Sequence, residues 1–406
     1  MSGQALSGLK VVEWSDFVSG PYCGKLLADL GAEVIKVERP GTGDRARRHG
    51  PFPQDIPHPE KSGLFLYLNT NKLGVTLDVR TVTGAEVFSK LVGQADVLVE
   101  NNPPREVEEL GFAYKRLCEV NPRLVMTSIT PFGQTGPYRD HRSCDLISFN
   151  ASGLAFVNPS DGVEDPEGQP PLKGPGHQGD LVAGLSGAVA TMGAVLNCQV
   201  TGSGQHVDVS EQEALASIMR SYLGLHAIEA MTWTRLKGSI PGMVSDKYHC
   251  ADGMVYLLCG QDRFWAEWMK AMGDPDWAQN ELFQDRISRR ENWDAVKAMI
   301  EEWTMKRTVE EVVRTADASR VPCRPINTVK DLATSELAAA RDYFAEVDHR
   351  EAGTLRFPGG PFKLSQTPWR VQRPAPLLGE HNEEVYCNRL GYTGQELTVM
   401  RAGGAI

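Results

Sequence analysis

Short apolar runs, each about one strand long and each followed by polar residues, set the rhythm of the N-terminal part of the chain. Residues 9–14 (Leu9-Lys10-Val11-Val12-Glu13-Trp14) and 33–38 (Glu33-Val34-Ile35-Lys36-Val37-Glu38) read as strands, with a helix opened by Gly20-Pro21 and running through Leu30 between them. A helix over 83–92 and a strand over 95–100 follow, then a helix over 114–120 and a strand over 124–129. The alternation predicts βαβ units, and strands this uniformly apolar predict a parallel sheet covered on both faces. Further on, Asp180 opens a helix of small and apolar residues, 202–205 is a turn, 206–210 a strand, and a long helix runs from Glu211 toward Glu229. Residues 231–246 read as a linker. The texture then changes: a hairpin over 247–258 precedes Trp-rich helices that reach about residue 312. The expected class is α/β, with a Rossmann-like large domain over 1–231, a smaller α+β domain over 232–328 and a C-terminal segment over 329–406.

Parallel sheets of this kind bind ligands beyond the carboxyl ends of their strands. Three polar clusters follow such ends: Ser15-Asp16-Phe17-Val18-Ser19, Arg39-Pro40-Gly41-Thr42-Gly43-Asp44 and Asn101-Asn102-Pro103-Pro104-Arg105. They are expected to meet in one crevice. The glycines argue against a dinucleotide there, because Gly20 and Gly24 with Pro21 between them do not make the G-x-G-x-x-G turn.

Composition narrows the ligand. The 406 residues suffice for two domains, and the net charge of −10 argues against nucleic acid as a partner. Against that background Arg39, Arg45, Arg47, Arg48 and Lys72 gather behind strand ends, which suits a phosphate-bearing small molecule. Eight cysteines form no C-x-x-C pair and nine histidines form no H-E-x-x-H, so no metal is expected. No apolar run of about 18 residues and no basic-apolar leader is evident, so a cytoplasmic protein without a membrane partner is expected.

Asp180 is the main candidate for chemistry. It closes Gly174-Pro175-Gly176-His177-Gln178-Gly179 and stands at a helix mouth, where the helix dipole favours a carboxylate and glycines leave room for a ligand. It reads as an N-cap, a general base or a nucleophile, with His177 three residues earlier as a base or a simple backbone partner. No G-x-S-x-G elbow accompanies it.

Several segments together carry a resemblance. They are Leu6-Ser7-Gly8-Leu9-Lys10-Val11-Val12, Leu30-Gly31-Ala32-Glu33-Val34-Ile35-Lys36-Val37-Glu38-Arg39-Pro40-Gly41, Asn69-Thr70-Asn71-Lys72, Ala95-Asp96-Val97-Leu98-Val99-Glu100-Asn101, Ser128-Ile129-Thr130-Pro131-Phe132-Gly133-Gln134-Thr135-Gly136-Pro137 and Pro374-Ala375-Pro376-Leu377-Leu378-Gly379-Glu380-His381-Asn382. On these the chain resembles, over nearly its whole length, the class III CoA-transferases, the group of the formyl-CoA:oxalate and carnitine CoA-transferases, to which the α-methylacyl-CoA racemases are related. The resemblance implies an interlocked dimer, a small domain inserted into the large one, and Asp180 as the nucleophile that passes through aspartyl anhydrides and an aspartyl-CoA thioester. It implies CoA contacts at Val18, Ser19, Arg39, Leu68 to Lys72 (Leu68, Asn69 and Lys72 among them), Asn101 and Asn102. Basic residues of the family are missing near Glu109 and at Thr130, and Arg105 and Arg139 are the charges available in their place. The CoA thioester is a substrate, and no tightly bound cofactor is implied.

The racemases carry a histidine base where this chain has Cys144, which favours transfer over racemisation. A role as one subunit of a two-chain transferase is the remaining alternative. Succinyl-CoA as donor and a substituted succinate or other dicarboxylate as acceptor are expected, with Arg47, Arg48, His49, His177 and Tyr248 as candidate partners of a distal carboxylate.

Overall fold

A computed structural model describes residues 3–237 and 245–406. Two compact units account for it: residues 1–154, 173–224 and 339–406 form the first, and 155–172 with 225–338 the second. The domain limits expected at 231/232 and 328/329 compare with 224/225 and 338/339, and residues 155–172, expected in the large domain, group with the second unit. Part of the expected linker, residues 238–244, lies outside the described residues.

The first unit is built on six parallel strands: β1 (Lys10–Trp14), β2 (Glu33–Glu38), β3 (Lys72–Thr76), β4 (Val97–Glu100), β5 (Val125–Thr130) and β6 (His206–Ser210). Their order is β3-β2-β1-β4-β5-β6. The chain progresses outward from β1 in both directions, so the order reverses between β1 and β4 and opens a crevice beyond their carboxyl ends. Alternate side chains serve opposite faces. Val12, Ile35, Leu98 and Met126 enter one core with Phe88, Tyr386 and Met400, while Val11, Val34, Val97, Val99 and Val125 enter the other with Leu27 and Ala183.

The helices of this unit up to residue 217 are α1 (Ser19–Ala28), α2 (Gly63–Leu68), α3 (Val82–Gly93), α4 (Pro104–Glu109), α5 (Tyr114–Val120), α6 (Asp145–Ala151), α7 (Gln178–Thr201) and α8 (Glu211–Ser217). The long helix expected from Glu211 is two helices, α8 and a second over Arg220–Glu229. Helix α7 corrects another expectation, because its 24 residues are long and apolar enough to cross a bilayer. It lies instead on α1 and β5 of the first unit, with Ala183, Gly184, Gly187, Ala188 and Thr191 buried. The approach is close: a Cβ on Gly184 would stand 2.5 Å from the Ser19 carbonyl oxygen. Any larger residue there pushes α7, and with it Asp180, away from α1.

The C-terminal residues close the β3 edge. Thr76 N–H donates to Asn382 Oδ1 at 2.8 Å, Tyr386 Oη donates to the Thr76 carbonyl at 2.9 Å, and Asp78 N–H donates to the Ala405 carbonyl at 2.8 Å. An exposed strand edge is thereby paired. The second unit has its own sheet, β7 (Asp246–His249), β8 (Met254–Leu257) and β9 (Cys323–Pro325), packed under a core that holds Trp265, Trp268 and Trp293. A further hairpin, β10 (Phe344–His349) with β11 (Gly353–Pro358), belongs to the first unit and has no counterpart in the sequence expectation.

Candidate active site

The three polar clusters do meet. A cleft of about 480 Å³ is lined by Ser15 and Asp16 after β1, by Arg39, Thr42 and Asp44 after β2, and by Asn101 and Asn102 after β4. Arg39, Arg45, Arg48 and Arg80 bring positive charge to this lining. The Arg39 side chain is more than half exposed, with only a 3.7 Å approach to Glu106.

Asn101 and Asn102, which line the cleft, also brace its walls through hydrogen bonds. Asn101 Nδ2 donates to the Asp16 carbonyl at 2.8 Å and to Ser19 Oγ at 3.1 Å, and its Oδ1 accepts from Asp16 N–H at 2.8 Å. Asn102 Nδ2 donates to the Trp14 carbonyl at 2.9 Å. Val18, Ser19, Leu68 and Asn69 are buried. Lys72 is fully buried: its Nζ lies 2.6 Å from Glu13 Oε2 and donates to the Pro21 carbonyl at 2.8 Å and to Asn69 Oδ1 at 2.9 Å. Desolvation pulls its pKa down to about 8, against the pull of Glu13. Lys72 therefore joins sheet and helix in this structure and offers no free ammonium to a phosphate.

Arg47 is likewise internal. Its guanidinium grips Glu38 through Nε at 2.7 Å and Nη2 at 2.8 Å and donates to the Pro376 carbonyl at 3.1 Å. Arg105 is exposed and paired with Glu109 at 2.8 Å, and Arg139 pairs with Glu108. Tyr248 lies in the core of the second unit, fully buried, with its hydroxyl 4.0 Å from Cys259 Sγ; burial raises its pKa well above the ordinary phenol value. That environment corrects its expected role as a carboxylate partner.

Asp180 stands in the first turn of α7, but it is not the cap. The helix begins at Gln178 behind His177. The dipole of the first turn still favours a negative charge there. Asp180 N–H donates to Asp145 Oδ1 at 3.1 Å, and Asp145 Oδ2 is paired with Lys173 Nζ at 2.6 Å. Glycine at 179 permits this arrangement, since a Cβ there would lie 2.8 Å from Asp145 Oδ1. His177 Nδ1 lies 3.5 Å from Asp180 Oδ2. The Asp180 hydrogen bond raises the His177 pKa, with the Asp180 and Asp145 charges adding to it and burial and Lys173 opposing. The Asp180 side chain retains 10% exposure and the His177 ring 35%, so the carboxylate is recessed but not sealed.

Phe17 lies between the His177–Asp180 pair and the arginines of the cleft. Its backbone takes φ 71°, a left-handed conformation that a bulky residue adopts only under constraint. The constraint is visible: Phe17 N–H donates to Asp44 Oδ1 at 3.0 Å, and its neighbour Asp16 is held by Asn101. The ring is thereby set edge-on to His177 at 4.9 Å and to His49 at 4.8 Å, with the Arg45 guanidinium 5.3 Å from its centroid.

A second carboxyl group, overlooked in the sequence, adjoins Asp180. Glu211 is the first residue of α8, is 4% exposed, and accepts from Ser148 Oγ at 2.8 Å through Oε2. Burial, then the charge and hydrogen bond of Asp180 and the charge of Asp145, push its pKa up to about 8 against the lowering effect of Ser148. The available signal was its place immediately after β6, the strand-end rule that marked the other clusters. Asp145 drew notice only as the neighbour of Cys144, and Phe17 only as part of its cluster.

With this geometry in place, comparison with known proteins gives a consistent result. The model of the family described as CoA-transferase family III matches residues 6–382. A formyl-CoA:oxalate CoA-transferase of Rhodopseudomonas palustris strain BisB18 is 32% identical, over 99% of this chain and 97% of that protein. A succinyl-CoA–D-citramalate CoA-transferase of Chloroflexus aurantiacus is 31% identical, over 98% of this chain and 97% of its own length. Among solved structures, a CAIB/BAIF family protein from Brucella suis superposes with a TM-score of 0.84 at 28% identity, covering 95% of this chain and 99% of that one.

Proposed function

The chain belongs to CoA-transferase family III and is an enzyme that acts on CoA thioesters, and from that premise we propose that it exchanges CoA between two carboxylic acids through covalent intermediates on Asp180. The observation that carries this reading is the recessed, partly accessible Asp180 carboxylate, connected through His177 and Phe17 to a cleft rich in arginine.

One Asp180 oxygen attacks the donor thioester carbonyl, forming a mixed anhydride and releasing CoA thiolate. The thiolate attacks the aspartyl carbonyl, giving an aspartyl-CoA thioester and the free donor acid. The acceptor carboxylate then attacks the aspartyl carbonyl and expels the thiolate, which takes the acyl group of this second anhydride. Product acyl-CoA and the Asp180 carboxylate result. Each step trades one acyl carboxylate or thioester for another of similar energy, so the activation of the thioester is conserved. Recession of Asp180 protects the anhydrides from water.

The arginines of the cleft, Arg39 foremost, are the proposed partners of the CoA phosphates. Asn101, Asn102, Val18 and Ser19 hold the walls. Succinyl-CoA as donor and a substituted succinate or other dicarboxylate as acceptor are the proposed acids, with Arg48 and His177 as partners of a distal carboxylate; the relative named for succinyl-CoA and D-citramalate supports this class. The test is a matrix of acyl-CoA donors against mono- and dicarboxylates in deuterium oxide. Transfer with dicarboxylates preferred is expected; deuterium at the α-carbon without transfer would instead identify racemase chemistry. We also propose a homodimer, supported by the apolar side chains Leu185, Val189, Leu196 and Val200 exposed along α7. Sedimentation should give twice the chain mass, and a monomer at assay concentrations would contradict it.

A further inference from the structure

We propose that Asp145, clamped by Lys173, is the positioning residue of the transfer reaction: by accepting the Asp180 backbone N–H it sets where the nucleophilic carboxylate stands. This inference rests on Asp180 being the nucleophile.

Asp180 is the third residue of α7, so its N–H is one of the first-turn groups that find no partner inside the helix. Asp145, the first residue of α6 and 6% exposed, accepts it through Oδ1 at 3.1 Å. The other oxygen of Asp145, Oδ2, lies 2.6 Å from Lys173 Nζ. The same ammonium donates to the Gly174 carbonyl at 2.9 Å and to the Gly176 carbonyl, so its three N–H groups face three oxygens of the chain. Gly176 takes φ 68° to complete this wrap, a conformation that glycine adopts at no steric cost. The segment 173–176 is thereby folded around one charge, and it delivers His177 to Asp180 with Nδ1 3.5 Å from Oδ2. Lys173 and Asp145 together tie the approach to α7 onto α6.

The support matters because the Asp180 side chain has little of its own. Its Oδ2 is buried, and among the described residues no donor reaches it with hydrogen-bond geometry; His177 is long for such a bond. The carboxylate is therefore placed by the backbone from which it hangs, and Asp145 holds that backbone. A reacting group displaced by about 1 Å costs about a hundredfold in rate. Asp145, Lys173 and Gly179 are absent from the lining of the arginine-rich cleft, so the clamp acts on turnover and leaves CoA binding alone. The absence of a side chain at 179 belongs to the same device. A Cβ there would stand 2.8 Å from Asp145 Oδ1 and 3.2 Å from Leu215 Cδ1, and would force the accepting oxygen aside.

The experiment measures kcat and KM, with the donor and acceptor selected by the substrate matrix and with thermal melts alongside, for Asp145→Ala, Asp145→Asn, Gly179→Ala and the double variant Asp145→Ala/Gly179→Ala. Asp145→Ala should lose kcat by about a hundredfold while KM for acyl-CoA stays within about threefold. Asp145→Asn keeps an oxygen for the Asp180 N–H and should recover to within about tenfold of wild type. Gly179→Ala separates positioning from folding: alanine favours a helix and should hold or raise the melting temperature, yet kcat should fall by at least about tenfold. The double variant should be no slower than Asp145→Ala alone, because both changes break one hydrogen bond. Full kcat in Gly179→Ala overturns the proposal, even if Asp145→Ala fails to fold. A loss confined to KM, an Asn variant as slow as Ala, or losses that multiply in the double variant overturn it as well. Trapping of Asp180 by hydroxylamine in the wild type distinguishes this from the reading beneath it. A successful trap with full kcat in Gly179→Ala removes only the role of the clamp, whereas failure of the trap removes the nucleophile and this inference with it.

Discussion

Replacing Asp180 by Asn should lower CoA transfer at least about a thousandfold, because an amide cannot form and then release the acyl intermediates proposed on this carboxylate. The amide keeps the size of the side chain, so the fold is retained. The Asp180 backbone N–H to Asp145, the Lys173 pair and the packing of α7 on α1 do not involve the carboxylate. Affinity for acyl-CoA should be unchanged in a calorimetric titration, since the cleft lining does not include residue 180. Arg39→Ala in the same titration should show the converse, weaker binding by about tenfold, the scale of one charge-assisted hydrogen bond. Transfer near the wild-type rate by Asp180→Asn would remove the aspartate from the mechanism.

The second large effect concerns stability. Lys36 is fully buried on β2, with Nζ 2.7 Å from Asp44 Oδ2 and 3.0 Å from Glu13 Oε1. Burial works against its charge, but Asp44, Glu13 and Glu38 outweigh that and raise its pKa. Changing Lys36 to Met leaves Glu13 and Asp44 buried with Lys72 as the main remaining cation, and such broken internal pairs cost about 3–5 kcal/mol. Urea unfolding should show a lower midpoint at unchanged slope. The effect reaches the site because Asp44 Oδ1 also accepts from Phe17 and Ala46 N–H and so holds the strained turn beside His177. A loss below about 1 kcal/mol would show that the network contributes little.

The same residues explain what was legible beforehand. Strands β2 and β6 occupy 33–38 and 206–210 as read, because their apolar pattern is local and complete. The convergence of the polar clusters followed from a rule of parallel sheets, and the order β3-β2-β1-β4-β5-β6 satisfies it. Lys72 and Arg47 were misread as free cations because their counter-charges, Glu13 and Glu38, lie 59 and 9 positions away and only folding brings them into contact. Of the three readings open for Asp180 the cap fails, since propensity marks the helix mouth without fixing its first residue, which is Gln178. In the sequence Glu211 is only the start of a long helix; its proximity to Asp180 arises from the packing of α8 on α7, which no periodicity reports.

The most direct measurement is peptide mapping after turnover in hydroxylamine with an active donor acyl-CoA. An aspartyl thioester or anhydride reacts with hydroxylamine to leave a hydroxamate on the side chain. The account predicts that modification on Asp180, dependent on acyl-CoA and absent from Asp180→Asn. An enzyme that turns over fully in the reagent while its Asp180 peptide stays unmodified would contradict the covalent route.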